Sequence, residues 1–442
     1  MRTCKFTVAL LALLWGARAQ ASTEINGLFD ARSAGMAGTG VAFLDSAAAV
    51  PTNPALLEQI HTFTTTLDLF YIVSQPEAPY SVYHRNASGQ VYASYDTIQS
   101  SLTGAVLPFL GAAYRLPFLD KRLVLGLAAY PIIGQGTSAV YHPAPDALPN
   151  LEIVNKASLG FIEIGEALSA RILDNLSVGA TWRITYMTQS VTTALPNGNP
   201  PAGNPPAGIF INPTTHDPVY ANIDVHGLNF GGYELGVLYK PFSQLRLGFN
   251  YRSKVVVNGT GKTNTQNPVS GAPLSLDTKT SFTYPHAFRG GLAVTLFDDR
   301  LLLAAEFKYL MYAEAFKTLA TTTVQAGVAR TDDRPLYWKD SVNVLLGAEY
   351  RIGTIYRVRA GYTLVTSATP DAYAVQFMAP PGVSHLGTVG FGVQLFDHLN
   401  LDASAGYVVL AKHIDTPTVN NSGVGEYASH GGEFSLGATY HM

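Results

Sequence analysis

The chain has 442 residues, with 28 Lys and Arg against 31 Asp and Glu, and only 13% of it is charged. Soluble domains carry roughly 25%, which excludes an array of ordinary soluble domains. A net charge of −3 with no basic block excludes a nucleic-acid binder. Mean hydropathy is only +0.13, and beyond the N-terminus no apolar run approaches the ~18 residues of a membrane helix. The missing charge is replaced by 41 Gly, 24 Tyr and 21 Phe, the chemistry of strands and turns.

Residues 1–21 read as a secretory signal. Arg2 and Lys5 supply the positive end, Phe6 to Trp15 the apolar stretch, and Ala17-Arg18-Ala19 or Ala19-Gln20-Ala21 the small residues for cleavage. A buried N-terminal helix is the competing reading. The only cysteine, Cys4, precedes the apolar stretch, so the mature chain can form no disulfide, as suits a bacterial envelope protein.

Residues 22–62 do not alternate. They are rich in Ala and Gly from Ala31 to Ala49, then reach Asn53-Pro54-Ala55. Asn before Pro predicts a helix start, with Asn53 as the cap and Pro54 at the first helical position.

From residue 63 to 442 a period of two dominates. In 245–255, Leu245, Leu247, Phe249, Tyr251 and Val255 oppose Arg246, Gly248, Asn250, Arg252 and Lys254. About fourteen strands are predicted, at 63–73, 101–116, 121–139, 156–172, 175–190, 226–241, 244–260, 281–297, 300–318, 338–352, 354–369, 384–396, 399–414 and 431–442. Short turns and long loops alternate between them. A β-sandwich has no reason to keep every long loop at one end, whereas an outer-membrane barrel does. Tyr186, Tyr251, Tyr309, Tyr362 and Tyr407 share the apolar face one bilayer crossing above the short turns. Tyr239, Tyr350, Tyr356 and Tyr440 lie beside those turns or the C-terminus, giving two interfacial girdles. Glu166 falls on the apolar face and implies a bulge or a local register error. The fold expected is all-β: a transmembrane antiparallel barrel with residues 22–62 as a helical plug, because its lumen has room for an apolar segment too long to be a tail. A periplasmic helical appendage is the other option.

Here the sequence resembles the FadL family of outer-membrane transporters for long-chain fatty acids and related hydrophobic compounds. The resemblance rests on Gly35-Met-Ala-Gly-Thr-Gly40, Asn53-Pro54-Ala55, Tyr130-Pro131-Ile132-Ile133-Gly134, Leu176-Ser-Val-Gly-Ala180, Tyr233 to Pro241 and Gly248 to Lys254, in order along the mature chain. It implies a fourteen-stranded barrel with an N-terminal hatch carrying Asn53, Pro54 and Ala55. It also implies diffusion without an energy source and sideways exit where the third strand kinks. Pro131, which cannot donate to a ladder, and Gly134 fit such a kink. An ordinary strand end entering a loop is the alternative there.

A fatty acid needs an apolar groove and a cation for its carboxylate. By parity Arg183, Arg252, Lys254, Arg289 and Lys308 point inward, as do Glu163, Glu234, Glu306, Glu349 and Asp402. Arg183 and Lys308 are the candidate ligand-binding residues, against the reading that these charges only hold the plug. Tyr71, Tyr80, Tyr83, Phe210 and Ile211 are candidates for capture among the outer loops. The tandem repeat at 198–208 reads as low-complexity loop.

No enzyme is expected. There is no Gly-x-Ser-x-Gly elbow. Gly259-Thr-Gly-Lys-Thr263 has Val256 where a phosphate loop needs its first Gly, and the histidines lack metal spacing. The expectation is thus a monomer of the bacterial outer membrane without cofactor or metal. Its partners would be a hydrophobic small molecule, membrane lipid and the barrel-assembly machinery, although the chain ends in Tyr440-His441-Met442 rather than in an aromatic residue. A polar-solute porin and a structural or adhesin-like barrel are the rival functions.

Overall fold

The computed structural model describes residues 29–88, 90–143, 150–195, 209–325, 328–420 and 423–442. The signal at 1–21 and the repeat at 198–208 lie outside the described residues.

Strand segments follow one another as β1 (Phe63–Arg85), β2 (Val91–Gln99), β3 (Thr103–Arg115), β4 (Leu123–Tyr141), β5 (Ile153–Leu173), β6 (Leu176–Ala194), β7 (Tyr220–Phe242), β8 (Leu245–Arg252), β9 (Val255–Gln266) and β10 (Pro273–Tyr284). They continue as β11 (Ala287–Leu296), β12 (Leu301–Leu310), β13 (Thr318–Gln325), β14 (Val328–Pro335), β15 (Ser341–Ile352), β16 (Tyr356–Val365), β17 (Ser384–Leu395), β18 (Leu399–Ile414) and β19 (Gly425–His441). β19 pairs antiparallel with β1, Leu436 opposite Leu69, and closes the cylinder. β8 with β9, β10 with β11, β12 with β13 and β14 with β15 are single wall strands interrupted by kinks, and β2 only extends a hairpin with upper β1. The wall therefore has the expected 14 strands.

The two faces are divided as the alternation predicts. On β7 the outward Leu235, Val237 and Tyr239 are 49%, 37% and 41% exposed, whereas the inward Glu234 and Leu238 are buried. Exposed apolar side chains around the wall would be costly in water and are stable against lipid. The short turns use left-handed backbone at Phe297-Asp298-Asp299, Phe396-Asp397 and Gly353, where Asp and Gly are best tolerated.

Three expected outer loops are largely strand. β1 runs on to Arg85 and pairs with β2, β9 and β10 form a tall hairpin, and β13 pairs with β14. Sequences such as Thr318–Gln325, TLATTTVQ, are polar on both faces because neither face meets lipid there, so they show no alternation to read. Tyr71 accordingly lies on the outer wall, 47% exposed, rather than in a loop.

Residues 29–60 pack against the inner side of the wall. They form two single turns, α1 (Ala31–Ala34) and α2 (Ala49–Thr52), and a 3-10 turn at Pro54–Gln59. Such short pieces are not stable alone; the wall holds them. Met36, Ala37, Val41, Ala42, Ala47 and Val50 are all 0% exposed. Asn53 is the expected cap, accepting from Ala55 N at 3.1 Å, although the turn it starts is 3-10 rather than α. Its amide also donates to Val41 O at 2.8 Å and to Val237 O on β7 at 3.1 Å. The wall yields room for this contact: a Cβ on Gly236 would collide with Asn53 Oδ1, and one on Gly179 with the Pro54–Ala55 backbone.

Candidate functional site

Ionic clusters line the lumen. At the lower mouth Arg32 of the 29–60 segment bonds Glu349 on β15 at 2.8 Å and Asp45 at 3.0 Å, while Arg359 on β16 bonds Glu349 at 2.6 Å and Asp402 at 2.7 Å. Beside it, Glu306 on β12 accepts the backbone N–H of Gly40 and of Val41, and pairs with Arg289 on β11 at 2.5 Å. Arg289 also donates to Gly38 O at 2.5 Å. The third cluster lies across β5 to β8. Glu163 bonds Arg183 at 2.7 Å and Arg252 at 2.6 Å, and Glu234 stands 3.6 and 3.5 Å from the same two guanidiniums. Buried charges persist only when paired in this way.

Above the third cluster the lumen becomes aromatic. The Arg252 guanidinium lies 4.4 Å from the Tyr284 ring centre. Phe282, two residues further up the same inward face of β10, meets Phe161 at 5.2 Å and Phe316 at 5.0 Å. Phe316 stacks on Trp338 at 4.6 Å, and Tyr312 meets Trp338 edge-on at 5.4 Å. Phe316 and Trp338 come from the kinks at 311–317 and 336–340, which fold inward and bury Tyr312 and Leu336 completely.

Pairing in the wall breaks off early between β3 and β4. Their ladder covers only Arg115–Val124 to Leu110–Ala129. Higher up, β3 stays paired with β1 as far as Thr103 and β4 with β5 as far as Tyr141. The two edges meet again where Ser101 N donates to Ser138 O at 2.7 Å and Ser100 Oγ bonds the same carbonyl at 3.2 Å. Tyr130 to Thr137 therefore border a gap in backbone pairing, the candidate window. Its lower rim is aromatic: Tyr130 meets Phe109 at 6.5 Å and Phe29, the first described residue of the lumenal segment, at 5.3 Å.

The candidate residues fall as follows. Asn53, Pro54 and Ala55 seat the lumenal segment against β6 and β7. Pro131 sits at a register slip, opposite Ile162, with Ile132 left over before Ile133 pairs with Phe161; Gly134 pairs with Gly160. The predicted irregularity is thus a bulge in β4, the third wall strand, beside the window. Arg183 is fully buried, bonding Glu163 and, at 2.7 Å, Ser253 O, while its Nε makes no hydrogen bond and stands 3.6 Å from Glu234. Lys308 is buried on β12 between Arg289 and Asn343. Lys254 is half-exposed and pairs with Glu314 at 2.5 Å. Of the capture residues, Tyr80 is buried against Tyr141 at 5.1 Å, and Ile211 packs at a small cluster of Leu151, Ile153 and Ala194. Sequence reasoning missed Phe316 and Trp338. Their only signal was their bulk in segments otherwise read as strand end, loop and strand start.

A closed antiparallel barrel with its apolar side chains outward and its own N-terminal segment packed in the lumen is a transmembrane barrel of the outer-membrane kind. The family model described as outer membrane protein transport protein (OMPP1/FadL/TodX) matches residues 13–440; the chain belongs to this family, whose members are transport channels rather than enzymes. Solved structures share the fold at low identity. A Pseudomonas aeruginosa FadL homologue is 19% identical, covers 97% of this chain and 100% of its own, and superposes with a TM-score of 0.75. The Pseudomonas putida toluene transporter TodX is 17% identical over 96% and 100%, with a TM-score of 0.68. The Ralstonia pickettii toluene transporter TbuX is 17% identical over 95% and 99%, at 0.64. No curated protein sequence matches.

Proposed function

We propose that the protein takes up hydrophobic compounds passively, through the lumen and out sideways between β3 and β4 into the membrane. The observation that carries this reading is the early end of the β3–β4 ladder at Leu110–Ala129, next to the aromatic lumen. A solute that stays in the barrel must pass residues 29–60, which bury their own apolar atoms against the wall. A solute that leaves by the window enters hydrocarbon directly, with no apolar surface returned to water.

The lumen favours a neutral or weakly polar substrate. Phe282, Phe316, Trp338 and Tyr312 offer ring faces, and the toluene transporters among the structural relatives point to the same chemistry. For a carboxylated substrate, such as a fatty acid, Arg183 and Lys308 remain the nearest candidate partners. Arg183 would then have to exchange Glu163 for the ligand.

The test uses the absence of cysteine after Cys4. Phe109→Cys with Tyr130→Cys places a pair at the window rim. Oxidation should stop uptake of labelled toluene or oleate into proteoliposomes, and reduction should restore it. Uptake undiminished by the closed disulfide would exclude the lateral route. Large steady ion conductance of the unmodified protein without uptake of either compound would indicate a porin instead.

A further inference from the structure

A cationic recess lies at the stepped upper rim of the wall, on the side away from the β3–β4 break. β17 begins at Ser384, paired with Leu410, but β18 continues to Ile414 with only β19 beside it. The wall steps down there, and the 366–383 segment folds over the step, held by Lys412 Nζ to Asp371 at 3.3 Å. The result is a cavity of about 1020 Å³, bordered by Lys339, Asp371, His385, Val409, Lys412 and His430.

Its height and face follow from register. His385 is opposite Val409, and Val409 opposite His430, so these three stand in one row across β17, β18 and β19. The row faces outward: Val409 is 42% exposed, and His385 Nδ1 is 2.6 Å from the hydroxyl of Tyr362, a member of the upper tyrosine girdle. Tyr407, 56% exposed, lies directly below. The recess thus opens where hydrocarbon gives way to headgroups. Two lysines and two imidazoles border it against a single carboxylate, and that carboxylate already faces Lys412.

We propose that this recess binds the phosphate of an outer-leaflet glycolipid headgroup, with the acyl chains lying on the wall below it. Lysines suit phosphate as point charges. The continuity of the recess with the apolar surface of Val409 and Tyr407 favours a lipid over a soluble anion.

Native mass spectrometry of the full-length protein in detergent tests it, with bisphosphorylated lipid A and its dephosphorylated form as probes. The wild type should retain the phosphorylated form preferentially. Lys339→Gln with Lys412→Gln should weaken retention by about 30-fold, as expected for two lysines near an anionic surface. Asp371→Asn should strengthen it, because it removes the competing carboxylate. Far-UV circular dichroism and the heat-modifiable mobility of the barrel check that each variant is folded. Equal retention by the folded lysine double variant, or of the two lipid forms by the wild type, would overturn the proposal. Displacement of the lipid by millimolar pyrophosphate would reassign the recess to a soluble anion and overturn the headgroup assignment.

Discussion

Glu166 stands on the lipid face of β5, opposite Leu127 on β4 and Trp182 on β6, in a stretch of unbroken pairing. Alternation placed it there, and neither a bulge nor a register error is needed to explain it. The bulge in this part of the wall lies instead at Pro131–Ile133. An acid facing hydrocarbon destabilises a barrel by less than a Lys or Arg at the same depth, so Glu166→Leu should stabilise this one by about 1 kcal/mol. Equilibrium unfolding in lipid vesicles would measure that, and a destabilised variant would contradict the outward placement. Arg183 behaves oppositely. Arg183→Ala leaves Glu163 and Glu234 buried with one guanidinium between them, and should cost about 3–5 kcal/mol in the same assay. Parity alone showed that these charges face inward and included both the acids and their partners. It could not show which pairs form, because Glu163, Arg183 and Arg252 come from three different strands and meet only when the wall curves.

The 53–55 element illustrates the same limit one scale up. Asn-Pro marked a helix start in the sequence; the cap is present, and the turn it opens is 3-10. Its second role, a clamp onto β7 through Val237 O, depends on Gly236 and Gly179 lying opposite it, far away in the chain. Gly236→Val should push this clamp off the wall. The expected outcome is higher single-channel conductance in planar bilayers with the barrel's far-UV spectrum unchanged; unchanged conductance would mean that the lumenal segment does not obstruct the pore. Strand extent was legible only where one face meets lipid. Above the girdles β2, β13 and β14 carry polar residues on both faces, so their pairing has no hydrophobic signature.

For the whole molecule, the 29–60 segment and the wall form one electrostatic unit. Glu306 neutralises Arg289 and also accepts two backbone N–H groups of the segment, and Glu349 shares its charge between Arg32 and Arg359. Deleting 29–60 should therefore raise conductance and lower the thermal unfolding midpoint together. Glu306→Gln, which keeps the shape but removes the charge facing Arg289, should raise conductance with a smaller loss of stability. A deletion that left both quantities unchanged would contradict the coupling.

The low charge of the chain, its period of two and its alternation of short and long connections determined a closed barrel with charge and glycine inside. Those are local properties, set by which neighbour each strand face meets. The window, the inward Phe316 and Trp338, and the ionic clusters were decided only by tertiary structure. Each depends on strands distant in sequence coming side by side, and in the window on two adjacent strands ceasing to pair, which neither strand's own sequence records.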